Sequence, residues 1–173
     1  MSAVYRVRQF IQATSAWIRP AEVEVALLER YLSPQALELF RAMPSQDRQH
    51  ALNVFRTLQH EGYEEPDLLA AALLHDVGKG VPARGGPRLW HRVAVVLMRA
   101  SWPGLLERLG QEERDGWRRP FYIHQHHPDL GAELAWQADC SAITVSLIRR
   151  HEDPSRQGDD PLLAALQAAD STN

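Results

Sequence analysis

Ala70-Ala71-Ala72-Leu73-Leu74-His75-Asp76-Val77-Gly78-Lys79 is the stretch that decides how this chain is read. Its first half is an unbroken apolar run, and a helical segment apolar all round belongs inside a fold. It ends directly on an imidazole and a carboxylate. Burying a carboxylate is costly unless the group is paired or bound to a metal ion. One reading of His75-Asp76 is therefore a plain helix C-terminus, with histidine as a favourable cap and Gly78 as a left-handed stop. The other is a pair of ligands at the end of a buried helix.

Outward from this stretch, nearly every apolar run has helical spacing. Val4, Val7, Phe10 and Ile11 mark a first helix, with Trp17 and Ile18 near its end, and Pro20 opens a second segment carrying Val23, Leu27, Leu28 and Tyr31. Ser33-Pro34 reads as an N-cap with proline at the first helical position, and Leu37 and Phe40 face inward. Pro44 starts the next helix, whose stripe Ala51, Val54, Phe55 and Leu58 ends near Gly62, and Glu65-Pro66-Asp67 starts the apolar helix of the opening stretch. Val81 to Pro87 is rich in glycine and proline and reads as a loop, Leu89 to Trp102 as a helix, and Gly110 to Arg119 as a charged, solvated stretch. Pro128 is expected to start a helix through Trp136. Ala142 to His151 forms another with Ile143, Leu147 and Ile148 inward, Asp153 to Asp160 is a polar loop, and Pro161 opens a last helix to Asp170. The fold class is all-α, a single helical bundle in which 1–43 pack as an N-terminal helical preface on a domain spanning 44–173.

Composition sets bounds on function. The 173 residues are one domain's worth, and 45% hydrophobic with 24% charged residues excludes disorder. A formal net charge of −3 lacks the overall basic excess that nonspecific phosphate-backbone binding usually needs, which leaves room only for a local patch. Cys140, the single cysteine, excludes an intrachain disulfide and a thiolate metal cluster, and is most simply a small buried residue. The N-terminal stretch is broken by Gln9, Gln12 and Thr14 and has no signal-peptide core, and Val93 to Met98 is far shorter than the roughly 20 residues of a membrane span. The expectation is a soluble, cytoplasmic protein with no membrane partner. Of the 19 basic residues only Lys79 is a lysine. Codon bias accounts for the arginines but not for where the lysine stands.

Eight histidines punctuate the chain. His50 shares a helical face with Val54 and Leu58, so it projects toward the core or a cleft. Asp170 ends the apolar run Leu162 to Leu166 and wants a partner. In order, His50, His75-Asp76 and Asp170 resemble the H…HD…D signature of the HD-domain superfamily of metal-dependent phosphohydrolases. Ala71 to Lys79 resembles its AALLHDIGK block, with Val77 in place of isoleucine; Arg48-Gln49-His50-Ala51 resembles the upstream helix and Ala168-Ala169-Asp170 the closing element. The resemblance covers about Pro44 to Asp170.

The resemblance implies a chemistry. His50, His75, Asp76 and Asp170 would hold one divalent ion, and two imidazoles with two carboxylates suit Mn, Fe, Co, Ni or Zn better than Mg. His127-Pro128-Asp129-Leu130-Gly131-Ala132 resembles the HPxxGA block, in which glycine permits close helix packing, and His151-Glu152 resembles the end of the HHE block. These imply His127 and His151, with Asp76 as a bridge, as ligands of a second ion. Arg150 stands where many relatives have a histidine; it cannot ligate metal but can grip phosphate. Asp76 and Lys79 would be the catalytic pair, with water activated by metal attacking phosphorus and the ammonium neutralising phosphate oxygens. The implied substrate is a small phosphoester, foremost a nucleotide. No GYP motif follows His151-Glu152, so the resemblance is to the HDIGK-type branch without it. A non-catalytic signalling or scaffold module of the same fold and a metal-dependent RNA nuclease are the alternatives. His124 and His126 flank the second block as exposed or supporting residues, His91 reads as packing, the tryptophans as core or interface material, with base stacking by Trp90 as the lesser alternative, and His60 as surface. Oligomeric state has no signal in the sequence.

Overall fold

The computed structural model describes residues 25–80, 104, 119–154 and 160–173. Among the described residues there are seven α-helices, a 3-10 turn and no strand: α1 Val25–Glu29, α2 Pro34–Ala42, α3 Ser45–His60, α4 Pro66–Leu74, the turn Val77–Gly80, α5 Arg119–Gln137, α6 Ala142–Arg150 and α7 Pro161–Thr172. The fold is all-α. The helices expected at Val4 to Ile18 and Leu89 to Trp102, the loop at Val81 to Pro87, and most of the stretch Gly110 to Arg119 lie outside the described residues, as do His91 and Trp90. No helix among the described residues is long and apolar enough to cross a membrane.

Local chemistry explains the helix starts. Ser33 Oγ accepts the amide of Ala36 at 3.1 Å and donates to the carbonyl of Ala138 at 2.8 Å, so one hydroxyl caps α2 and ties it to the end of α5. Ser141 Oγ accepts from the Thr144 amide and Asp160 Oδ1 from the Leu162 amide, each ahead of its helix. Pro34, Pro66 and Pro161 all sit where a missing N–H costs nothing. Pro44 is the residue before α3 rather than its first residue.

α4 is the central rod. Every residue from Leu68 to Leu74 is buried, and α2, α3, α6 and α7 pack around it. Leu28, Leu32, Ala36, Leu37, Phe40 and Met43 belong to the same core as Phe55 of α3 and Leu166 of α7. α5 packs most closely on the 3-10 turn and on α6.

Three expectations are corrected. Gly78 is no left-handed stop: among the described residues only Gly62 and Asp139 have positive φ. Gly78 is instead needed for space. A Cβ there would strike the carbonyl oxygen of His127 and come within 2.7 Å of the Gly131 amide, while one on Gly131 would meet Gly78 N at 3.2 Å. The two glycines let the turn and α5 touch backbone to backbone, as expected for Gly131. Pro128 does not start a helix but lies inside α5. Ile143 is 49% exposed, because the buried side of α6 is formed by Thr144, Val145, Leu147 and Ile148. Smaller differences are that Cys140 is only partly buried and α7 runs two residues past Asp170.

Candidate metal centre

His50 comes from the middle of α3, on the side of the buried Val54 and Leu58. His75 and Asp76 follow the last residue of α4, His127 comes from α5, His151 follows α6, and Asp170 comes from α7. His75, Asp76, His127 and His151 are buried polar residues, while His50 and Asp170 are partly exposed. All six expected ligands are brought together. Ligand atoms of His50, His75 and Asp76 lie within 4.8 Å of one another, and so do those of Asp76, His127 and His151. Asp170 Oδ1 joins the first group, 2.8 Å from His50 Nε2 and 3.5 Å from His75 Nε2.

The rings are oriented from behind. Nδ1 of His75 donates to the carbonyl of Ala72 at 2.9 Å, Nδ1 of His127 to that of His124 at 2.7 Å, and Nδ1 of His151 to that of Ile148 at 2.7 Å. Each bond places a proton on Nδ1 and turns Nε2 toward the shared centre. Nε2 of His127 and Nε2 of His151 face each other at 3.3 Å. Burial, then repulsion from Lys79, pushes His127 down to about 3, and burial followed by the charge of His75 lowers His151. Neither Nε2 then carries a proton, so two lone pairs meet, an arrangement that a cation relieves.

Asp76 is the common member. Its Oδ1 lies 3.7 Å from His75 Nε2, 3.5 Å from His127 Nε2 and 3.8 Å from His151 Nε2. It is a buried oxygen with no hydrogen bond of acceptable direction, although the Lys79 ammonium is 2.7 Å away; that ammonium bonds to Oδ2 instead. Burial disfavours charge on Asp76, but His75, Lys79 and His127 outweigh it and hold the carboxyl below the usual carboxylate range. Burial likewise opposes charge on Asp170, where hydrogen bonds from His50 and His75 prevail. Burial disfavours charge on His75 too, yet Asp76 and Asp170 raise its pKa, so positive charge is favoured between the two carboxylates.

These observations fit a metal ion. Donors about 2.0–2.2 Å from one tetrahedral ion lie about 3.3–3.6 Å apart. The separations around Asp76, His127 and His151 run from 3.3 to 3.8 Å. An ionised oxygen with no well-directed donor, faced by the Nε2 lone pairs of His127 and His151, is the chemistry of a cation site. The sets contain imidazole and carboxylate and no thiolate.

Other expected residues fall at the margins. Arg150 is brought against Asp153 at 3.3 Å, at the end of α6. His124 stacks on His127 with ring centroids 6.1 Å apart and so borders the second group, while His126 lies tilted against Tyr122 at 4.3 Å. His60 is exposed. Two residues were missed by sequence reasoning. Glu152 brings a carboxylate oxygen 3.9 Å from His127 Nε2, and its place beside His151 was the available signal. Gln167 Nε2 donates to the carbonyl of Asp153 at 2.9 Å and of His151 at 3.2 Å, fastening α7 to the turn that carries His151. Nothing local in the sequence marks it.

A family model for the HD domain matches residues 48–173. No curated protein and no solved structure matches the chain.

Proposed function

The chain belongs to the HD-domain superfamily of metal-dependent phosphohydrolases, and from that membership we propose that it hydrolyses a small phosphoester, foremost a nucleotide. The observation that carries the reading is Asp76 Oδ1, buried, without a hydrogen bond, and shared by both groups of ligands.

In this reading His50, His75, Asp76 and Asp170 hold one divalent transition-metal ion, and Asp76, His127 and His151 a second. When bound, such ions lower the pKa of water and neutralise charge on phosphoryl oxygens. The remaining work belongs to the chain. Lys79, about one-third exposed at the rim of the centre, presents an ammonium that Asp76 holds at 2.7 Å and that can reach phosphate oxygens from there. The carbonyls of Ala72, His124 and Ile148 keep the ligand rings from turning. Asp76 is buried, while His50 and Asp170 are partly exposed and Glu152 is exposed. Arg150 serves as a second phosphate grip by exchanging Asp153 for substrate.

A panel of nucleotides, cyclic dinucleotides and generic phosphoesters, assayed with Mn, Fe, Co or Ni, tests the proposal. Turnover of at least one, lost together with bound metal in Asp76→Ala, is the expected result. Full activity in that variant, or silence across the panel with metal bound, overturns it.

A further inference from the structure

Three buried histidines in this centre place a proton on Nδ1 by the same local device, a bond to the carbonyl three residues earlier. In an α-helix that carbonyl is engaged by the amide four residues on. For His75 and His151 it is released because the helix stops: α4 ends at Leu74 and α6 at Arg150, and both histidines occupy the C-cap. His127 has no such opportunity, since α5 continues to Gln137. The amide that would claim the carbonyl of His124 is that of residue 128, and residue 128 is proline. Proline has no N–H. The His124 carbonyl is therefore left to the His127 ring, which takes it at 2.7 Å.

We propose that Pro128 is a positioning residue for the second ligand group: by withholding one backbone proton inside a continuous helix, it gives His127 the acceptor that helix ends give His75 and His151. The same step explains why proline is tolerated at this point in α5. The carbonyl that proline orphans is satisfied by a side chain, and the ring so held points Nε2 at Asp76 Oδ1, 3.5 Å away. His50, in the uninterrupted helix α3, provides the contrast. It is oriented from the front instead, through Nε2 and Asp170.

The test is Pro128→Ala, which returns the N–H and removes a helix-breaking residue. Ring nitrogen-15 shifts of the metal-free protein read the tautomers directly. The expected result is that His127 loses its Nδ1–H preference while His75 and His151 keep theirs, with circular dichroism and urea midpoint equal to or above the wild type. The metal readout rests on the two-ion reading above. In a cobalt titration the site containing His127 weakens at least tenfold and the other is unchanged. A folded variant with the wild-type His127 tautomer overturns the inference. Should the alanine variant fail to fold, lactate at position 128 supplies an ester that again has no N–H: retained His127 tautomer supports the inference and its loss overturns it. A wild type that binds no cobalt defeats the proposed function, and the tautomer measurement still decides the role of Pro128.

Discussion

Lys79 shows how far a single residue can be read. Its isolation among eighteen arginines is visible in the sequence, and the structure places its ammonium 2.7 Å from Asp76. A guanidinium is planar and bulkier, with its donors in a fixed fork. Lys79→Arg keeps the charge, so turnover is expected to fall at least tenfold with metal content unchanged; equal turnover returns the lone lysine to coincidence. His75, Asp76 and Asp170 were legible because apolar runs ending on ionisable groups are poor core sequence, and His50 because it shares a helical face with Val54 and Leu58. Glu152 was not, because an exposed acid beside a histidine is ordinary at a helix end. Its distance of 3.9 Å from His127 exists only after α5 and α6 have packed.

At the scale of elements, the starts of α2, α4, α6 and α7 were legible and that of α5 was not. Ser33 announces α2 by short-range hydrogen bonding, and Pro66 and Pro161 announce α4 and α7 as first-turn prolines. Pro128 misled because proline commonly begins a helix; what allows it inside α5 is a bond from a histidine ring, which pattern reasoning does not include. Ile143 misled because α6 has apolar residues on more than one face, and only packing against α4 and α5 selects the buried one. The contact between the 3-10 turn and α5 gives the clearest element-scale prediction. Gly78→Ala places a methyl against the His127 carbonyl, where both partners are backbone and cannot turn aside. A loss of about 3 kcal/mol or more is expected in urea denaturation. A loss under about 1 kcal/mol would show that the turn and the helix separate freely.

For the molecule as a whole, the centre makes stability depend on pH. His127, held at about 3 against an ordinary 6.5, stays neutral in the fold, and His151 is lowered in the same direction. The unfolded chain binds protons in that interval that the folded chain refuses, so stability falls as pH drops from about 6.5 toward 3. Asp76 and Asp170, ionised below the usual carboxylate range, extend the loss below about pH 4. His75 works the other way, but its contribution is complete below 6.5 and diminishes only above it. The urea midpoint of metal-free protein is therefore expected to be lower at about pH 4.5 than at about pH 6.5; an unchanged midpoint would mean that the rings are protonated without cost. The whole-molecule arrangement also has a bearing on time. His50 and Asp170 touch across 120 residues of chain, and His127 reaches Asp76 from another helix. Helical turns close early and locally, whereas such distant partners meet only when the bundle has shut. In the proposed two-ion reading, ion capture would thus be one of the last events of folding, and the colour of a cobalt-loaded centre would serve as a clock for its completion.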